Sequence, residues 1–144
     1  MVTKAQLKGT VSLLFILTVL CFFTSCASMN PGYMNDPNLS QADKAGYVGK
    51  DLTKAYIRLY NKAKFYTDYG TPDEKEFVIT KVNPVLNDLK YKLVDYNKLV
   101  NEWVNTGVMP IKFKLTEEQV NKLIYDATDL FIQYGLGGVE NGSE

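Results

Sequence analysis

The sequence has no histidine and only two cysteines in 144 residues, and both, Cys21 and Cys26, fall within the first 26. The missing histidine removes the commonest proton shuttle near neutral pH and the commonest metal ligand. With no thiol beyond Cys26, the rest of the chain has no disulfide to close and must be held by packing. Serine is scarce too: after Cys26 it occurs only at Ser28, Ser40 and Ser143. The usual nucleophile and base arrangements therefore have no members. The one glycine cluster, Gly135, Gly137 and Gly138, follows an apolar helical pattern instead of leading into one, so no phosphate cradle is expected. Neither a cofactor nor a metal is expected.

Charge of one sign is lacking as well. Lysine plus arginine equal aspartate plus glutamate at 16 each. Setting aside Lys4 and Lys8 leaves fourteen basic against sixteen acidic residues, which makes no electrostatic case for nucleic acid. The length suits one domain with a modest core.

What is present begins with the N-terminus. Residues 1–10 carry Lys4 and Lys8 and no acid, and Val11 to Phe23 is apolar apart from Ser12 and Thr18. A membrane span needs roughly 20 residues, so this shorter run predicts a cleaved signal peptide, with a retained anchor as the alternative. It ends in Phe23, Thr24, Ser25 and Cys26: a bulky residue, two small ones and a cysteine. This resembles the lipobox of bacterial lipoprotein precursors, although leucine is commoner at the first position. The resemblance implies lipid attachment at Cys26, cleavage before it, and acylation of the new amine by a fatty acid such as palmitate. Ala27 stands where an aspartate would mark inner-membrane retention, which implies the periplasmic face of the outer membrane. Two or more acyl chains hold a protein stably, at about 0.8 kcal/mol per buried methylene.

The expected organisation is a signal peptide over 1–25, the acylated cysteine and a turn-rich flexible tether over 26–39, a helical bundle over 40–136 and a disordered tail over 137–144. Within the bundle, Ser40 with Asp43 predicts a helix start, and Ala45, Gly49, Leu52, Tyr56, Leu59, Ala63 and Tyr66 alternate by four and three up to a stop at Gly70. Thr71, Pro72, Asp73 and Glu74 combine a cap, a first-turn proline and a capping-box acid. The seam that follows runs through Ile79, Val82, Leu86, Leu89, Leu93, Tyr96, Val100 and Trp103, with Pro84 predicting a kink or a re-capped break at Asn83 in an otherwise continuous rod, and a ligand-gated hinge as the alternative. Thr116 and Gln119 predict a third cap, ahead of a seam through Val120, Ile124, Ala127, Phe131 and Tyr134. Between the second and third helices, Ile111 to Leu115 alternates apolar and basic residues, which predicts an extended strap packed over the bundle or an open edge for a partner strand. The fold class expected is all-α, a three-helix antiparallel bundle with that strap.

Candidate binding residues are few. Lys50, Lys54, Arg58 and Lys62 repeat every four residues, a like-charge ladder that repels itself and invites anionic headgroups or an acidic partner. Tyr47, Tyr91 and Tyr125 fall outside the seams, where aromatics favour contact surfaces. Asp126 with Asp129, or Asp73 with Glu74 and Glu76, are the only carboxylate sets to consider for acid and base work; helix capping and ion-pair ladders account for them better. The expected function is non-enzymatic: a membrane-anchored envelope lipoprotein acting as an interaction or adaptor module, with an envelope protein as partner. Two other readings stay open. Its small size and helical plainness are similar to prophage-type lipoproteins, some of which block a receptor or an uptake channel. A small-ligand or peptide carrier would use a cavity between helices near Pro84.

Overall fold

The computed structural model describes residues 31–136. The lipobox with Cys26, the signal peptide and the 137–144 tail lie outside the described residues. Ahead of the helical unit, Gly32–Asn35 forms a single 3-10 turn in which Met34 N–H donates to the Pro31 carbonyl at 2.8 Å. From Pro37 onward the chain is one helical unit, and no strand occurs among the described residues.

Helix α1 spans Gln41–Tyr69. Its start is fixed by a reciprocal cap: Ser40 Oγ accepts from Asp43 N–H at 3.1 Å while the Asp43 carboxylate accepts from Ser40 N–H at 3.2 Å. Helix α2, Pro72–Phe77, follows after two residues with the same device, in which Thr71 N–H donates to Glu74 at 2.6 Å. It runs without a break through a π segment, Val78–Val82, into α3, Asn83–Thr106. Helix α4 is Phe113–Gln133.

Ahead of Pro84 the structure shows a π segment and no re-capped break at Asn83. A proline cannot donate to the preceding turn, and its ring crowds the carbonyl four residues back. The chain answers by widening the turn before it, so that Asn83 N–H donates to the Val78 carbonyl five residues back. A turn holding an extra residue also shifts the helical phase. Val78 is fully buried, four residues before Val82, whereas the predicted seam residue Ile79 is 53% exposed.

The core is one cluster, and α1 reaches it through small residues. Ala42, Ala45, Gly49 and Ala63 are buried along α1, so α3 can approach closely. Tyr96 fills the space this leaves: it is fully buried, and its hydroxyl donates to the Ala45 carbonyl at 3.0 Å. Near the same end, Phe113 of α4 packs against Tyr96 and Trp103, with ring centroids 5.2 and 5.0 Å away. Toward the other end, Tyr66 lies against Phe131, and Phe77 stacks on Tyr134 at 4.0 Å. Helix α4 closes there through Gly135 in the left-handed region, φ 73°, with Leu136 N–H donating back to Phe131 and Gly135 N–H to Ile132. This double bond satisfies the last carbonyls of the helix.

Two expectations about the α3–α4 connection are overturned. The extended strap does not form: Phe113, Lys114 and Leu115 are the first turn of α4, and of its three apolar residues only Phe113 is buried. A Pro110–Phe113 turn, in which Phe113 N–H donates to the Pro110 carbonyl at 3.0 Å, starts the helix early. The alternation of Ile111, Lys112, Phe113, Lys114 and Leu115 has period two by coincidence, since one apolar residue in the first turn suffices to dock it. Thr116 is accordingly not a cap but a buried residue inside α4, its N–H donating to the Lys112 carbonyl.

Helix propensity and packing give opposite answers at the two glycines of α1. A methyl at Gly49 would meet Asn97 Oδ1 at 2.9 Å and Tyr96 Cε1 at 3.0 Å, while one at Gly46 would make an ordinary 3.8 Å contact with Val100. Alanine in a helix interior gains about 1 kcal/mol over glycine, and overpacking costs about 1–3 kcal/mol. Gly46→Ala is expected to stabilise the protein by up to about 1 kcal/mol and Gly49→Ala to destabilise it. Chemical denaturation of the two variants checks the opposite signs.

Candidate functional site

The basic ladder of α1 is largely answered from within the molecule. Lys50 Nζ sits over the Tyr47 ring at 4.8 Å, joining two of the candidate residues to each other. Lys54 pairs with Asp51 at 3.3 Å. Lys62 turns inward instead of outward: its Nζ lies 5.0 Å from the ring of buried Phe131, so its aliphatic stem covers the α1–α4 seam. Arg58 is exposed, with neither an ion-pair nor an aromatic partner among the described residues. The ladder thus leaves one cation, Arg58, flanked by two like charges at steps of four.

The three candidate tyrosines are exposed, but the structure does not bring them together, since Tyr47 is on α1, Tyr91 on α3 and Tyr125 on α4. Tyr91 lines a cavity. It borders an open groove of about 440 Å³ between α3 and α4, walled by Asp88, Tyr91 and Lys92 on one side and Gln119, Lys122, Leu123 and Asp126 on the other. Lys122 is already bonded to Asp126. The groove therefore offers an aromatic and aliphatic floor between paired and unpaired charges of both signs, which suits a polar peptide-like segment. None of its lining groups is a serine, cysteine or histidine.

Members of both carboxylate sets are engaged by neighbours on their own helix or cap. Asp129 accepts from the Gln133 amide, Asp126 is held by Lys122, and Glu74 is engaged at the α2 cap. No group of three acidic, histidine or cysteine residues among the described residues is placed to hold a metal ion. Helical periodicity alone places Asp88 and Lys92 on one outer face of α3, and Lys122 with Asp126 four apart on α4. The groove arises because those two faces adjoin across the α3–α4 seam, and a register between the helices would have been needed to find it.

The Lys64 ammonium is raised by its hydrogen bond and charge interaction with Asp68. The Tyr56 phenol is raised by burial first and by its neighbour Tyr60 second, their rings lying 6.0 Å apart.

Two outcomes follow from these geometries. Replacing Arg58 with glutamine removes two like-charge pairs at steps of four, each worth about 0.2–0.5 kcal/mol. Arg58→Gln should raise the melting temperature at low salt, and the gain should shrink at high salt as screening takes over. For Tyr56, the folded state holds its proton more tightly than the unfolded state does. Its contribution is complete below the ordinary value near 10 and is lost as pH climbs through the raised value. Tyr56→Phe should therefore lose stability less steeply above about pH 10, as read by unfolding at successive alkaline pH values. No protein-family model, no curated protein and no solved structure matches the chain.

Proposed function

We propose that this protein is a lipid-anchored component of the bacterial envelope whose bundle serves as a non-enzymatic interaction module, held on the periplasmic face of the outer membrane through acylated Cys26. The observation that carries the reading is the run Phe23, Thr24, Ser25, Cys26 directly after an apolar stretch too short to span a bilayer. No described helix is long and apolar enough to cross a membrane, so attachment in this reading rests on Cys26.

In this proposal the three long helices run antiparallel. The bond from Tyr96 to Ala45 and the approach of Gly46 to Val100 support that, pairing the start of α1 with the end of α3. An adaptor role is supported by a surface carrying exposed aromatics and charges of both signs without a nucleophile beside a base. The partner is an envelope protein met through the exposed face of α1 around Lys50, Lys54 and Arg58, with Tyr47 beside them. A carrier enclosing a small molecule is less well supported, because the α3–α4 groove is not an enclosed cavity.

The test has two arms. Intact mass measurement and membrane fractionation should find the wild-type chain beginning at an acylated Cys26 and sedimenting with membranes, and Cys26→Ala should lose both properties. Crosslinking in intact cells should then capture a partner that is lost on reversing Lys54 and Arg58 to glutamate while the membrane fraction is unchanged. A bare sulfur at Cys26 refutes the anchor. An unchanged crosslink in the charge-reversed chain refutes the assigned face.

A further inference from the structure

The loop between α3 and α4 presents apolar side chains to solvent where a strap had been expected to bury them. Ile111 is 100% exposed, Val108 69%, Leu115 58% and Met109 44%. Exposed apolar side chains that form a contiguous patch mark contact surfaces.

The loop backbone is well bonded. Gly107 takes the left-handed conformation, φ 69°, and its N–H donates to the Trp103 carbonyl at 2.8 Å. Thr106 Oγ1 accepts from Val108 N–H at 3.2 Å, and the Pro110–Phe113 turn closes the far side. Behind the loop, Phe113 is wedged between Tyr96 and Trp103. The apolar side chains are thus displayed outward by a pinned backbone.

Position and charge say what covers them. The loop lies at the end of the bundle where α1 begins, because Ala45 and Gly46 meet Tyr96 and Val100 of α3. Cys26 precedes Ser40 by fourteen residues. If flexible, a chain of that length would have an r.m.s. span of about 20 Å, against a length of about 36 Å for the 24 residues of α3. In the anchor reading above, the loop end would then be the end held nearer the bilayer. From Trp103 to Thr116 there is no acidic residue, and Lys112 and Lys114 are both exposed, although Lys114 also pairs with Glu117 just beyond at 2.9 Å. Apolar side chains rimmed by lysine suit the boundary between acyl chains and anionic headgroups.

We propose that the α3–α4 loop is a membrane-contacting tip. Val108, Met109, Ile111 and Leu115 enter the acyl boundary of the bilayer that holds Cys26, and Lys112 and Lys114 lie among anionic phospholipid headgroups. This rests on the anchor reading above and adds to it an orientation, with the bundle standing tip down and the α3–α4 groove facing the aqueous side.

The test uses the full-length chain as expressed in the envelope, purified and reconstituted into vesicles of phosphatidylethanolamine and phosphatidylglycerol with brominated acyl chains. Tryptophan fluorescence is read in Ile111→Trp and in Tyr91→Trp, each combined with Trp103→Phe. Both altered sites are exposed, and helicity confirms folding. If Trp103→Phe proves too disruptive, the same pair is read with Trp103 retained, as the increment over wild type. Quenching at position 111 should be several-fold stronger than at 91 and should weaken when Lys112 and Lys114 are both changed to glutamate. Equal, weak quenching at both positions, in protein that floats with the vesicles and carries an acylated Cys26, overturns the tip and leaves the anchor standing. A bare Cys26 in protein that stays with the soluble fraction overturns both. Crosslinking of position 111 to an envelope protein without quenching assigns the loop to a protein partner and likewise overturns the proposal.

Discussion

The arrangement depends on one large side chain being admitted between two helices. Tyr96 is the largest fully buried residue and carries a hydroxyl that must be satisfied inside. Both needs are met by α1, whose alanines and Gly49 leave room for the ring and whose Ala45 carbonyl takes the hydroxyl proton. The contact fixes the register of α1 against α3. Because Phe113 packs on the same ring, it fixes where α4 can start as well. The early start of α4 then decides that Ile111 and Leu115 face outward.

The surface divides according to that packing. On α1, tyrosine, aspartate and a buried phenylalanine answer three of the four ladder cations, so the electrostatic opportunity narrows to the surroundings of Arg58. Between α3 and α4 lies a groove of mixed charge, and at the tip an apolar loop with a basic rim. These three regions differ in chemistry and lie on different parts of the bundle.

Much of the helical plan was legible from spacing. Ser40, Gly70, Thr71 and Gly135 bound helices because capping chemistry is local, and the seam from Val82 to Val100 followed from period alone. The failures share a cause: each depended on a tertiary fact. Ile79 was misplaced because the answer to Pro84 was a widened turn that changed the phase. The strap and the Thr116 cap were misread because the start of α4 is chosen by Phe113 docking on Tyr96 and Trp103. The candidate site was legible only residue by residue: Lys50 and Tyr47 were named separately without their mutual contact, Lys62 was read as outward, and the groove needed an interhelical register that no single-helix pattern contains.

The widened turn at Val78–Val82 carries one more consequence. Losing a single residue there would tighten the backbone to an ordinary α turn, return the Pro84 ring to the crowding that the widened turn relieves, and rotate the fully buried Val78 out of its place. The surplus residue is thus what lets a proline stand inside a long helix while valines on both sides of that turn stay in the core.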